Sequence, residues 1–139
     1  MPTPCLYDYA VVRVVPRVER GEFINAGVIV SCASQGRLAA AVELDEARLL
    51  ALDPHVDLTS IRAALEAIPR ICAGGGAAGP LGRLSLRERF HWLVAPRSAS
   101  VQTSAVHTGR SERFEPLLAR LMRDLVHTPP PIAPRQPAE

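Results

Sequence analysis

The sequence predicts an α+β domain: an antiparallel sheet of about four strands with helices packed mostly on one face. Two observations predict this fold class. β-Branched residues are concentrated before residue 44, in three segments joined by short connections, whereas helical periodicity dominates the chain after that point. A further strand-like segment, Ser98–Val106, lies between two predicted helices and must pair back onto the first three strands.

The first three predicted strands are Tyr7–Pro16, Phe23–Cys32 and Arg37–Glu43. The first strand is largely apolar on both faces and ends at a proline, which is typical of a buried central strand. The connections between the three are short and contain glycine, and the second of them is the turn at residues 34–36. Short connections favour an antiparallel meander.

Capping residues mark the starts of the predicted helices. Asp45 can cap a short helix that ends at Leu52, and either Asp57 or Thr59 can cap a longer one. Ser85 begins a capping-box pattern for a third helix. Apolar residues at helical spacing define the longer helix and a final helix: Ile61, Leu65, Ile68 and Cys72 in the former, and Phe114, Leu117, Leu118, Leu121, Met122, Leu125 and Val126 in the latter.

Two segments are predicted to lack regular structure. Residues 73–82 are rich in glycine and predict a flexible linker, since they lack the Gly-Lys-Ser/Thr ending of a phosphate-binding loop. Residues 128–139 are rich in proline and predict a disordered tail. We therefore expect a single domain at residues 1–127, followed by that tail.

Composition excludes several classes of protein. The net charge is only +2 and acidic residues are spread among the sixteen basic residues, all arginine, which argues against a general nucleic-acid-binding protein but leaves a local arginine cluster open. No apolar run is long enough to span a membrane and no signal-peptide pattern is present, so we expect a cytoplasmic protein that makes no membrane contact. The three cysteines have no close spacing and are expected to be reduced and buried.

The first candidate cluster is the segment Gly21–Val28. Asparagine and glycine are disfavoured inside a strand, so their presence predicts either a β-bulge or close approach of another group. The alternative is a structural role, in which Asn25 hydrogen-bonds a neighbouring loop and Gly27 makes room for a helix. Period-two alternation puts Phe23, Asn25 and Gly27 on one face, and Ile24, Ala26 and Val28 on the other.

The second candidate cluster consists of Arg97, Ser98, Gln102, Ser104, His107 and Thr108. The Arg97 guanidinium suits a phosphate or carboxylate, and hydroxyl groups could complete an anion pocket. His107 could act as an acid or base near neutral pH. In the structural alternative, Arg97 pairs with Glu22 or Glu88 and His107 caps a turn. We expect no metal, because the histidines lack ligand spacing, and we expect no cofactor.

These clusters belong to a wider set of motifs in two parts of the chain. The first part contains Tyr7-Asp8-Tyr9 with Arg13 and Pro16, and the whole of residues 21–28. The second part contains Ser85, Arg89-Phe90, Trp92-Leu93, Ala95-Pro96-Arg97-Ser98, Gln102, Ser104 and Val106-His107-Thr108-Gly109. With them the chain resembles a bacterial family catalogued as domain of unknown function 3037, over roughly residues 5–127. Ala99, Thr103 and Ala105 depart from the family pattern. The family has no established activity. The resemblance implies one partner class, a kinase-like protein of the toxin–antitoxin type.

The leading functional hypothesis is a small accessory or interaction domain that binds a protein partner or an anionic ligand. The binding surface would include Glu22, Asn25, Arg97, Gln102, Ser104 and His107. One alternative is an enzyme for a phosphorylated or nucleotide-like substrate, with His107 as acid–base, Arg97 as anion clamp and Glu22 as orienting or second acid–base group. Another is a toxin-like nuclease with the same His and Arg. Both enzyme hypotheses require these three side chains to converge around a cavity. The oligomeric state is left open.

Overall fold

Five strands form one antiparallel sheet in the computed structural model, which describes residues 4–127. The strands are β1 (Cys5–Val14), β2 (Ile24–Cys32), β3 (Arg37–Val42), β4 (Val101–Thr103) and β5 (His107–Ser111). Their order is β3-β2-β1-β4, and β5 also pairs with β1. The predicted α+β class and the β1–β3 meander are therefore confirmed. The proline-rich tail predicted from residue 128 lies outside the described residues.

β1 is the central strand. β2 pairs along one of its edges, while β4 pairs with residues 12–14 and β5 with residues 5–9 along the other. The prediction of one continuous strand at residues 98–106 is wrong, because Ser104 interrupts it. Its N–H donates to the Val11 carbonyl at 2.8 Å and its Oγ accepts the Val11 N–H at 2.9 Å. Ser104 thus satisfies both backbone groups of Val11, and pairing resumes at His107.

Four α-helices are present in residues 4–127: α1 (Glu46–Leu52), α2 (Leu58–Ala73), α3 (Leu86–Val94) and α4 (Leu117–Leu125). Asp45 and Asp57 cap α1 and α2 through their carboxylates, and Ser85 forms a full capping box with Glu88 at the start of α3. Pro69 does not end α2, which continues to Ala73. None of the described helices is long and apolar enough to cross a membrane.

The sheet separates two apolar cores. The larger core packs β1 and β2 against α1, α2 and α3, and includes Val12, Val14, Ile24, Ile29, Leu49, Ile61, Leu65, Ile68, Phe90 and Leu93. The smaller core packs the opposite face against α4, and includes Tyr7, Val28, Val30, Phe114, Leu117, Leu121 and Met122. Three of the four α-helices therefore lie on one face, as predicted.

A β-bulge corrects the predicted alternation in β2. Val12 pairs with Gly27 while the next residue, Arg13, pairs with Asn25, so Ala26 is the extra residue. Asn25 and Gly27 consequently point to opposite faces, although strict alternation placed them together. A Cβ at Gly27 would lie 2.6 Å from the Ala41 carbonyl oxygen. The bulge therefore accounts for the irregular pairing at Asn25, and the close approach of β3 accounts for the glycine at position 27.

The cysteine prediction is also wrong for two of the three residues. Cys5 and Cys32 form a disulfide between the start of β1 and the end of β2, with a Cα–Cα distance of 6.2 Å. The 27-residue separation gives no sequence signal. Antiparallel pairing of β1 and β2 nevertheless brings the two ends together at a distance typical of disulfides. Cys72 is free and buried, as expected.

The glycine-rich segment after α2 is ordered, in contrast to the predicted linker. Residues Gly76–Arg83 form 3-10 turns with a kink at Gly79. The Gly75 N–H donates to the Gly82 carbonyl at 3.3 Å and closes the segment on itself. Gly82 is required at this crossing, because a Cβ there would overlap the Gly75 backbone.

Candidate binding groove

A groove of about 580 Å³ lies between α2 and the residues that connect α3 to β4. Its apolar wall is the flank of α2, made by Ile61, Ala64, Ala67, Ile68 and Ile71. The opposite wall is formed by Trp92 and Leu93 of α3, by Arg97 and by residues 99–103. The volume falls in the range of pockets that hold small molecules or the anchoring side chains of a partner.

Trp92 and Arg97 form a stacked pair on the groove. The Arg97 guanidinium carbon lies 4.6 Å from the centroid of the Trp92 ring, and 41% of Trp92 is exposed. Nη2 of Arg97 donates to the Trp92 carbonyl at 2.6 Å. Within residues 4–127, no carboxylate forms an ion pair with Arg97. Its charge is therefore held in place by neutral groups and remains available to an anion.

Local sequence determines the backbone path of the connection between α3 and β4, which contains Arg97. Pro96 follows the C-cap residue Ala95, which is extended, so the chain leaves α3 at this point. The Gln102 amide donates to the Ala99 carbonyl at 2.7 Å and fixes the turn that precedes β4. Thr103 Oγ1 lies 3.5 Å from the Val94 carbonyl and holds β4 near the end of α3.

The other end of the groove is acidic, but its carboxylates are engaged in the fold. Asp53 accepts the His55 N–H at 3.0 Å and pairs with Arg17 at 3.9 Å. Asp57 accepts the Ser60 hydroxyl at 2.6 Å and the Ser60 N–H at 3.1 Å, and these bonds lower the pKa of the Asp57 carboxyl below its ordinary value. Within residues 4–127 neither Asp57 nor Arg97 forms an ion pair, but the oxygens of Asp57 accept hydrogen bonds that cap α2, whereas Arg97 is the arginine of the groove lining.

Two of the predicted site residues, Arg97 and Gln102, line the groove. Asn25 lies elsewhere and is a structural contact: its amide donates to the Leu125 carbonyl at the end of α4, at 2.9 Å. Ser104 is buried and serves β1, as described above. Of the predicted amide and hydroxyl groups, Gln102 therefore lies at the groove, whereas Asn25 and Ser104 form hydrogen bonds that stabilise the fold.

The remaining predicted residues are exposed and do not line the groove. Ser98 lies in the connection after α3, and His107 and Thr108 lie in β5. His107 packs against Tyr9, with ring centroids 5.3 Å apart, and does not cap a turn. Glu22 pairs with Arg20. Neither Glu22 nor Glu88 pairs with Arg97, so the predicted structural ion pair does not form.

The two candidate segments flank β1 and do not adjoin each other. Asn25 pairs with Arg13 on one side, and Gln102 pairs with Arg13 on the other. His107 pairs with Tyr9, four residues away on the same face of β1, or roughly 13 Å along the strand. β1 thus separates Asn25 from both residues, and the structure does not bring Glu22, Arg97 and His107 together.

Sequence reasoning missed the wall of the groove on α2. The helical pattern identified Ile61, Leu65, Ile68 and Cys72 as one core-facing stripe. Ala64 and Ala67 extend this stripe on one side, and together with the core residues Ile61, Ile68 and Ile71 they line the groove. The excess of apolar residues beside the stripe was the available signal.

Comparison with known proteins places the chain in a family. The model of the family described as "Protein of unknown function (DUF3037)" matches residues 9–126. The chain belongs to this family. The match includes the central sheet, the groove and α4. Neither the curated proteins nor the solved structures contain a match to the chain. Within residues 4–127 no group of three or more His, Cys, Asp or Glu side chains could hold a metal ion.

Proposed function

We propose that this DUF3037 protein is an interaction domain whose groove binds an apolar segment of a protein partner that carries an acidic residue. One observation supports it above all: an apolar groove has at its edge an exposed tryptophan stacked with an arginine that lacks a carboxylate partner among the described residues. Tryptophan and arginine are the side chains most enriched among residues that dominate binding energy.

Charge and shape together favour a peptide segment over a free anion. The α2 wall of the groove consists of Ile and Ala side chains, which offer nothing to a bare phosphate. Arg97 offers one cation at one end, and the acidic residues at the other end are already engaged. A segment with apolar side chains followed by Asp or Glu would match both features. A kinase-like protein, the partner class implied by the family resemblance, is the first full-length candidate.

The enzyme alternatives lack their geometric requirement. They need Glu22, Arg97 and His107 around one cavity, whereas only Arg97 lines the groove. The carboxylates at the groove, Asp53 and Asp57, are hydrogen-bonded to backbone groups that shape the start of α2. These hydrogen bonds indicate that Asp53 and Asp57 stabilise the fold at this point and do not favour a role in proton transfer to a substrate.

A displayed library of random peptides tests this function directly. Peptides are selected on the full chain and then counter-selected on the Trp92→Ala variant. We expect the survivors to share an apolar run followed by Asp or Glu. Since Trp92 is the single tryptophan of the chain, its fluorescence should shift to shorter wavelength when a selected peptide buries it.

Variants of the groove and of the opposite face provide the control. Arg97→Ala should remain folded and lose affinity for the peptide by about tenfold or more, since a charge-assisted hydrogen bond is worth about 1.5–3 kcal/mol. Arg123→Ala, on the exposed side of α4, should bind normally. Peptides that bind Arg97→Ala and the parent equally, or that leave Trp92 fluorescence unchanged, would contradict the proposal.

A further inference from the structure

Arg89 of α3 is a buried cation without a counter-charge in the described part of the chain. It is 7% exposed, and its Nε is enclosed without any hydrogen-bond partner. None of the ion pairs formed within residues 4–127 includes it. Removing a guanidinium from water is strongly unfavourable unless an anion and hydrogen bonds compensate. An anion from outside the domain would therefore stabilise Arg89 at this position.

The glycine-rich segment at residues 74–82 is shaped around this guanidinium. A Cβ at Gly74 would overlap Nη1 of Arg89 and lie 2.9 Å from its Cζ. Gly74 also has a φ of +75°, which side-chain-bearing residues rarely adopt. Glycine at this position thus lets the backbone lie directly against the guanidinium, and the Gly75–Gly82 hydrogen bond closes the segment beside it.

The ionisable groups near Arg89 do not neutralise it. Cys72 is the neighbour whose pKa responds to the Arg89 charge, yet burial raises the pKa of this thiol to about 12, so it is uncharged at neutral pH. Glu88, the preceding residue on α3, accepts hydrogen bonds from the Ser85 N–H and hydroxyl. Asp8, another acidic residue near α3, pairs with Arg87.

We propose that Arg89 and the glycine-rich segment at residues 74–82 form a binding site for a small oxyanion, the terminal group of a phosphate or carboxylate ligand. The forked guanidinium donors match the oxygen spacing of both groups. The N–H groups of Gly74 and Gly75 donate to the Arg70 and Gly82 carbonyls, so the guanidinium supplies the charge and the hydrogen bonds of the site. A Cβ at Gly75 or Gly76 would meet no atom within 4 Å, so open space adjoins this part of the segment. The site is distinct from the groove, since neither Arg89 nor Gly74 lines the groove. It therefore goes beyond the proposed peptide-binding function.

Inorganic phosphate and acetate serve as the two probes, with chloride at matched ionic strength as the control. Thermal unfolding and calorimetric titration of the full chain should show stabilisation and binding by phosphate, acetate or both, and none by chloride. A phosphate response alone identifies a phosphate ligand, and an acetate response identifies a carboxylate ligand. Arg110→Gln removes an exposed positive charge on β5 and should leave the response unchanged.

Substitutions of Arg89 separate an anion site from a buried cation held by the protein itself. Without oxyanion, Arg89→Met should melt at the same or a higher temperature than the parent, and added phosphate or acetate should no longer stabilise it. Arg89→Lys keeps the charge but loses the fork, and its affinity for the binding anion should fall about tenfold, as expected for losing one charge-assisted hydrogen bond.

Three results would overturn the proposal. The first is equal stabilisation of the parent by chloride, phosphate and acetate. The second is an unchanged anion affinity in Arg89→Lys, which also decides the matter if Arg89→Met fails to fold. The third is a folded Arg89→Met variant that phosphate or acetate still stabilises as much as it stabilises the parent. None of these measurements depends on the peptide groove, so the two proposals fail separately.

Discussion

The two faces of the sheet are covered in different ways, and the groove lies on the face that three helices cover. α1, α2 and α3 cover one face, and between α2 and the residues 97–103 they leave a groove of about 580 Å³. On the other face, α4 and the preceding Phe114 cover a core that includes Tyr7, Val28 and Val30. The groove thus lies where two of the covering elements meet, whereas within residues 4–127 the other face is covered by one helix.

Polar residues follow the same division. On the α4 face, Asn25 is used to hold the end of the helix through the Leu125 carbonyl. On the groove face, the hydrogen bonds of Arg97 within residues 4–127 go to the Trp92 and Ala95 carbonyls, and its charge has no carboxylate partner among those residues. Asn25 and Arg97 both stand out in the sequence as polar residues of candidate clusters. Their contacts differ, because Asn25 bonds to another element of the fold and Arg97 bonds to its own segment.

Truncation of a core residue should distinguish the two faces most strongly. Leu121→Ala, on the buried side of α4, should lower the free energy of unfolding by about 2–5 kcal/mol, because the truncation leaves a cavity in the core. Ile68→Ala should cost about 2 kcal/mol, the lower end of that range, because Ile68 borders the groove and water can occupy the vacated space. Denaturant unfolding of both variants measures the difference. Equal costs would mean that the groove is closed in solution.

The disulfide should stabilise the α4 face, where Cys5 and Cys32 lie in its core. Reduction should lower the free energy of unfolding by about 3.5 kcal/mol, from the entropy of a 27-residue loop. A thiol assay provides the check. Without reductant the unfolded protein should show one reactive thiol, Cys72, and after reduction three. Three thiols without reductant would show that the disulfide is absent from the isolated protein.

Loss of the capping box should have a smaller effect that is confined to the groove face. Ser85→Ala removes the hydroxyl that accepts the Glu88 N–H at the start of α3. We expect a loss of about 1 kcal/mol in unfolding free energy, with peptide binding at Trp92 intact because the far end of α3 is held separately. A stability equal to that of the parent would mean that the first turn of α3 is frayed.

Acidification should weaken the start of α2 by a still smaller amount. Hydrogen bonds from Ser60 lower the pKa of Asp57 below its ordinary value of 3.8. The folded state therefore binds this proton less readily than the unfolded state, and the contribution is complete above about pH 4 and lost as the pH falls through the lowered pKa. Asp57→Asn should reduce the acid dependence of the melting temperature in this window. An unchanged slope would contradict the cap.

Much of the fold could be predicted because local chemistry determines it. Alternating and continuous apolar runs gave the central strand β1, and Asp45, Asp57 and Ser85 marked the helix starts at which the structure places them. The site could not be predicted in the same way. The order β3-β2-β1-β4 puts β1 between the two polar segments, and the width of α2 relative to the sheet creates the groove. Both are consequences of tertiary packing.

Amide hydrogen exchange, with and without a selected peptide, tests the division between the two faces most directly. The account predicts slower exchange at residues 61–71 of α2 and at residues 97–103, with α4 unchanged. In Arg97→Ala at the same peptide concentration, that protection should be lost. Protection centred on residues 117–125 of α4, with none at residues 97–103, would contradict the assignment of the groove as the binding surface.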